Sequence, residues 1–159
     1  MMIDNKQINP SYKVIIMITS SIVPTEERTN FFLSITEQYF WFQDAIFHFC
    51  KVHCVDFYGA FWQYIELDNG GKYLYPVDCP EILTVTSKNH QVSLKLSSEA
   101  TGIYITLVTL SYYAFAAWRQ NDAQEMDRIA LLEKKLMDFA EQHPEFHKIS
   151  ELLNDEVSE

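Results

Sequence analysis

Phe61-Trp-Gln-Tyr-Ile-Glu-Leu-Asp-Asn-Gly-Gly-Lys-Tyr-Leu-Tyr-Pro76 sets two apolar, aromatic runs on either side of Asp68-Asn69-Gly70-Gly71. An Asn-Gly pair between such runs signals a hairpin, because a type I′ turn needs positive φ at both central residues. With Asn69, Gly70 and Gly71 as the structural turn, Leu67 faces Lys72, Glu66 faces Tyr73, Ile65 faces Leu74 and Tyr64 faces Tyr75. Period-two alternation then predicts one face of Gln63, Ile65, Leu67 and Leu74, and another of Trp62, Tyr64, Glu66, Tyr73 and Tyr75. The first reads as core. The second is aromatic with a polar rim, the composition of a partner-binding surface. A helix covering that face is the competing expectation, and the sequence leaves both open.

Around this hairpin the chain reads as α+β. Lys13 to Ile18 is a short β-branched run suited to a buried strand, preceded by a loose polar segment at 1–12. Val23-Pro24-Thr25-Glu26-Glu27-Arg28 has the proline and early acids of a first helical turn. A helix is predicted from about Thr36 to Val55, with Asp44, His48 and Lys51 as its polar stripe and Tyr39, Phe42, Ile46, Phe49 and Cys50 opposite. Beyond Pro76, Ile82–Thr86 and Gln91–Leu96 alternate as a second hairpin, so one antiparallel meander of about four strands is the simplest sheet. Ser97-Ser98-Glu99 caps a helix that carries no charge until Arg119. Asn121-Asp122 caps the next, where Met126, Ile129, Leu132, Leu136 and Phe139 recur at helical spacing. Pro144 opens a last short helix, and an acidic tail, expected to be loose, runs from 154 to 159. A single domain over 1–159 is expected, with no internal repeat or linker. The uncharged segment Ala100–Trp118 nearly reaches the ~20 residues of a bilayer span, but its threonines, Gly102 and lack of basic flanks make it a core helix laid against the sheet.

Composition narrows the function classes. At 159 residues and 48% hydrophobic content the chain can bury a real core. Its formal net charge of −10 argues against direct contact with nucleic acid or an anionic membrane. Three cysteines, and no basic segment leading into an apolar signal core, make a reducing, cytoplasmic setting the expectation; the sequence leaves the oligomeric state open, with a monomer favoured.

Chemistry-bearing motifs are weak. Cys50, His53 and Cys54 share a helix face at i, i+3 and i+4, and Cys79 would complete four zinc-ligand types, but no zinc-ribbon or finger spacing is present. Two small core hydrophobes beside a core or rim histidine is the reading the spacing favours. His143-Pro-Glu-Phe-His147 has the wrong order for a His-Glu-x-x-His site, and Pro144 leaves His143 as a cap outside the helix. Asn69-Gly70-Gly71-Lys72 lacks the glycine and hydroxyl residue of a phosphate loop. No Gly-x-Ser-x-Gly elbow occurs. DNA mimicry needs a dense array of one sign. Here 12 basic residues are interspersed with 22 acids, as at Arg128, Glu133, Lys134, Lys135 and Asp138; only Glu151, Asp155, Glu156 and Glu159 make a short one-sign run. No cofactor, metal site or catalytic residue is therefore expected.

Three segments together resemble the ArdB/KlcA-type antirestriction proteins: Ile22-Val-Pro-Thr-Glu-Glu-Arg28, the block from Gly59 to Pro76, and Leu96-Ser-Ser-Glu-Ala-Thr-Gly-Ile103. Leu136-Met-Asp-Phe-Ala-Glu-Gln-His-Pro144 is similar to that family as well. The resemblance spans about Ile22 to Pro144. It implies a small, non-enzymatic α+β protein of plasmids and other mobile elements. Such a protein shields incoming unmodified DNA from type I restriction without blocking modification, acting on the restriction system directly or through a host factor. Competing classes are a small metal-binding or hydrolytic enzyme using Cys50, His53, Cys54 and Cys79, and an interaction module of unknown partner.

Overall fold

The computed structural model describes residues 17–59 and 61–157; the expected segment 1–12 and most of the expected strand at 13–18 lie outside them. In chain order the elements are β1 (Ser20–Ile22), a 3-10 turn (Thr25–Glu27), α1 (Arg28–Leu33), α2 (Tyr39–His53), β2 (Trp62–Leu67) and β3 (Lys72–Pro76). There follow β4 (Ile82–Thr86), β5 (Ser93–Ser97), α3 (Ser98–Arg119), α4 (Ala123–Ala140) and α5 (Phe146–Val157). The fold is α+β.

The expected four-stranded meander is instead two antiparallel sheets, β1-β2-β3 and β4-β5. The edges at which the two hairpins would have joined are already taken. On β3, Leu74 turns its N–H and C=O away from β2, and α3 lies along that edge. Leu74 N donates to Thr106 Oγ1 at 3.4 Å, while a Cβ on Gly102 would come within 2.4 Å of Leu74 O. On β4, both Asp56 carboxylate oxygens accept from Thr84 N at 3.1 Å, and Cys54 bridges to Val85. A covered edge cannot recruit another strand.

The first hairpin forms, but one residue away from the expected register. Glu66 pairs with Lys72, Ile65 with Tyr73, Tyr64 with Leu74 and Gln63 with Tyr75. The loop has three residues rather than two. Gly70 N donates to Leu67 O and Leu67 N to Gly71 O, both at 2.9 Å, and φ is positive at Gly70 (91°) but not at Asn69. Contacts remote in sequence hold this longer loop. Asp68 N donates to Thr19 O, Thr19 Oγ1 donates to the Asp68 carboxylate, and Asn69 Nδ2 donates to Lys135 O. Because strand side chains alternate, a one-residue slip exchanges the faces of β3 relative to β2. Tyr73 and Tyr75 therefore share a face with Ile65 and Gln63, not with Trp62, Tyr64 and Glu66.

Both faces of this sheet are covered. Phe31 and Phe32 of α1 and Phe47 of α2 meet the Trp62–Tyr64 face, and Phe139 of α4 stacks on Tyr73 at 5.6 Å. The β1 strand, which no sequence pattern marked, pairs with β2 through Ser20–Leu67, Ser21–Glu66 and Ile22–Ile65.

Local signals placed the α3 and α4 starts correctly. Ser97 Oγ accepts from Ala100 N at 3.1 Å, and the Asp122 carboxylate accepts from Glu125 N at 3.1 Å. Inside α3 the hydroxyls of Thr101, Thr106 and Thr109 donate to carbonyls four residues back, so buried polar atoms are satisfied. Residues Ala100 to Leu107 are fully buried, whereas Ser111, Tyr112, Phe115 and Trp118 are exposed. Among the described residues α3 alone is long and apolar enough to cross a membrane, yet most of its apolar stretch is packed inside the fold. Positions 158–159 lie outside the described residues, and over 154–157 the expected loose tail is helical instead: α5 continues to Val157, and Asp155 is only 7% exposed. It accepts a very short hydrogen bond from Ser87 Oγ, and its carbonyl accepts from Asn89 Nδ2 at 2.6 Å.

Candidate functional site

The five residues expected on one aromatic face are divided by the structure. Trp62, Tyr64 and Tyr73 are buried, Tyr75 is half-buried and Glu66 is exposed. Tyr64 packs edge-on against Phe31 (5.0 Å) and Phe32 (5.5 Å), with the Arg28 guanidinium 4.7 Å from its ring centre. Trp62 meets Phe47 and Phe57 at 5.2 and 5.8 Å. Burial raises the pKa of the Tyr64, Tyr73 and Tyr75 phenols, with the Glu99 carboxylate adding to the shift at Tyr73 and Tyr75. These phenols stay neutral at physiological pH. Of the five, Glu66 and Tyr75 retain surface that a partner can reach, and they lie on opposite faces of the sheet.

The cysteine–histidine set reads as packing. Cys50 and Cys54 are buried, and the hydrogen bond that the Cys50 thiol donates to Cys54, then burial, push the Cys50 thiol far up, away from the reactive thiolate. Cys79 is raised by burial and by Asp78. His53 Nδ1 sits 2.7 Å from Thr86 O, tying the end of α2 to β4. Among the described residues no group of three or more His, Cys, Asp or Glu is arranged to hold a metal ion. His143 caps α5 as its spacing suggested: Nδ1 accepts from Glu145 N at 3.1 Å, which leaves Nε2 to donate to Glu99 at 2.9 Å. Glu145 is partly buried, which raises its pKa, but bonds from Ser97 Oγ and N outweigh this and leave it low.

A well-formed concavity lies elsewhere, along the outer face of α3. It holds about 680 Å³, with Val108, Tyr112 and Phe115 as its floor. His48 and Phe49 of α2 form one wall, Glu133 and Met137 of α4 the other, and the β4–β5 turn with Lys88 and His90 closes one end. His48, Lys88 and His90 are exposed at the rim, and Lys88 is the one Lys or Arg among the described lining residues. Glu133 is the one carboxylate among the described lining residues, and burial raises its pKa, favouring the neutral acid. Tyr112 also lines a second cleft of about 240 Å³, bordered by Trp41, Gln38 and Glu125. There Glu125 is a structural anchor, accepting from Thr36 Oγ1 at 2.8 Å and Glu37 N at 3.2 Å. An apolar cleft rimmed by a few polar groups is suited to binding. The sequence signal for it was the uncharged run to Arg119, which describes a core helix over its first half and this exposed floor over its second.

Residues 55–154 match a family model described as antirestriction protein. The uncharacterised protein YafX of Escherichia coli K12 is 26% identical over 141 residues, covering 86% of this chain and 88% of its own. Antirestriction protein KlcA of Escherichia coli is 30% identical over 132 residues, covering 80% and 89%. A solved structure from work on the KlcA and ArdB proteins matches with a TM-score of 0.72 and 26% identity, over 83% of this chain and 92% of that one. Those proteins are described as having a novel fold and antirestriction activity against type I DNA restriction systems in vivo but not in vitro.

Proposed function

The chain belongs to the antirestriction protein family, and we propose that it protects incoming unmodified DNA from type I restriction endonucleases while leaving modification intact. The observation that carries this reading is the shared fold with the KlcA and ArdB proteins, active against type I systems in vivo. Their inactivity in vitro favours action through a cellular component over direct inhibition of the nuclease. Binding rather than catalysis is supported by how the fold uses its buried polar groups. Glu125, Asp155 and His143 anchor helices and turns, and the Cys50 thiol is held protonated.

The test is to plate unmodified phage on type I restricting hosts with and without the gene. Plating efficiency is expected to rise, with survivors fully methylated. Unchanged plating against several type I families would remove the assignment.

DNA mimicry is not the proposed mechanism. Acids are paired with bases along α4, as Lys134 with Asp138 (3.2 Å) and Arg128 with Glu125 (3.7 Å), and Asp155 is turned inward. Changing Glu151, Glu156 and Glu159 to glutamine is expected to leave both melting and protection unchanged. Asp155→Asn acts differently, through stability, costing about 1.5–3 kcal/mol because it weakens a charge-assisted buried hydrogen bond. Loss of protection in the triple variant at unchanged melting would restore the mimicry reading.

A further inference from the structure

We propose that the cleft on α3 is a docking groove for an acidic amphipathic helix of a partner protein, the contact through which protection is exerted; this rests on the antirestriction reading above. Two independent features point to that occupant.

The first is shape. Val108, Tyr112 and Phe115 stand at i, i+4 and i+7, a row of about 10 Å at 1.5 Å rise per residue, along the open side of α3. The walls from α2 and α4 flank this row, so the missing element in the groove is another helix, seated ridge into groove. A solvated helix face ordinarily carries charge. Here Tyr112 and Phe115, each 56% exposed, and Trp118, 58% exposed, lie in a stretch with no charged residue between Glu99 and Arg119.

The second is charge. The chain has a net charge of −10, yet Lys88 stands exposed at the groove's rim. Lys51 follows one turn beyond His48, and the Arg119 guanidinium lies 6.0 Å from the Phe115 ring centre at the far end. Against these cations the described lining offers one carboxyl, Glu133, half-buried on the α4 wall. A helix with carboxylates flanking an apolar ridge complements both floor and rim.

The experiment uses the full chain and two blocked model peptides of ~14 residues, about four helical turns. Both carry leucine and phenylalanine at every third and fourth position; one is flanked by glutamate, the other by lysine. By calorimetry the glutamate peptide is expected to bind roughly tenfold or more tightly than the lysine peptide at low salt, the gap closing as salt rises. Phe115→Glu and Tyr112→Ala, both at exposed positions, are expected to abolish or weaken binding at unchanged melting temperature, and to lose protection in the plating test. Equal binding of both peptides, or none, overturns the proposal, as does a dimer that Phe115→Glu converts to monomer. If wild type fails to protect, the functional reading falls, while the peptide result still decides the groove. If wild type protects and both variants protect equally well, the groove's role in protection falls while the functional reading stands.

Discussion

Gly102→Ala is expected to cost about 3 kcal/mol or more, at the upper end of overpacking penalties. In a chain of this length that corresponds to a melting temperature lower by roughly 6–12 °C. The sign is opposite to the intrinsic one, because alanine in a helix interior is favoured over glycine by about 1 kcal/mol. What reverses it is the approach of α3 to β3. A Cβ at Gly102 would lie 2.3 Å from Tyr75 Cβ, 2.4 Å from Leu74 O and 2.6 Å from Tyr75 Cα. Two of these are backbone atoms, so no rotamer change relieves the clash. The helix must withdraw from the sheet edge, which also loosens the bond from Leu74 N to Thr106. Ser111→Ala, on the exposed half of the same helix, is the control, and its melting should stay within a few tenths of a kcal/mol. A Gly102→Ala variant melting at or above wild type would show that α3 does not cover the edge this closely.

That contact also explains what could and could not be read from the sequence. Signals carried within a few residues were reliable: Ser97 and Asp122 cap their helices, and Asn69-Gly70 marks a hairpin. Failures came where a distant segment overrode a local preference. The turn lengthened to three residues because Asp68 is engaged by Thr19 and Asn69 by Lys135. β1 was invisible because three exposed residues carry no alternation. The meander broke in two because Thr106 and Gly102 took one strand edge and Asp56 and Cys54 the other. Gly102 itself was legible only as a helix interruption; its reason for being glycine lies on a strand 27 residues earlier in the chain, at Tyr75. The α3 groove was hidden for the same cause, since its walls come from α2, the β4–β5 turn and α4. No single stretch of sequence contains it.

Tyr64→Ala is expected to destabilise by about 3–5 kcal/mol, the range for deleting a large buried ring. The ring is 8% exposed and wedged between Phe31, Phe32 and the Arg28 guanidinium. Its removal opens a cavity and also strips a cation–π contact from Arg28, whose buried Nε has no hydrogen-bond partner among the described residues. Tyr64→Phe keeps the ring and changes only the hydroxyl, which is hydrogen-bonded with Gln43. It should cost about 0.5–1.5 kcal/mol. Urea unfolding of both variants separates packing from hydrogen bonding. The same pair bears on whether the hairpin touches a partner. If protection falls in Tyr64→Ala only as the folded fraction falls, the ring acts through the core. Glu66→Lys supplies the complementary arm, because Glu66 is exposed on the same face and paired across the strand with Lys72. Its melting should barely move, within the usual surface range of about 0.5 kcal/mol. Protection lost in Glu66→Lys at full stability would assign the hairpin a direct contact. Protection retained there, with Phe115→Glu inactive, would locate the contact on α3. A melting temperature for Tyr64→Ala within a degree or two of wild type would refute the core packing that places this face inside the protein.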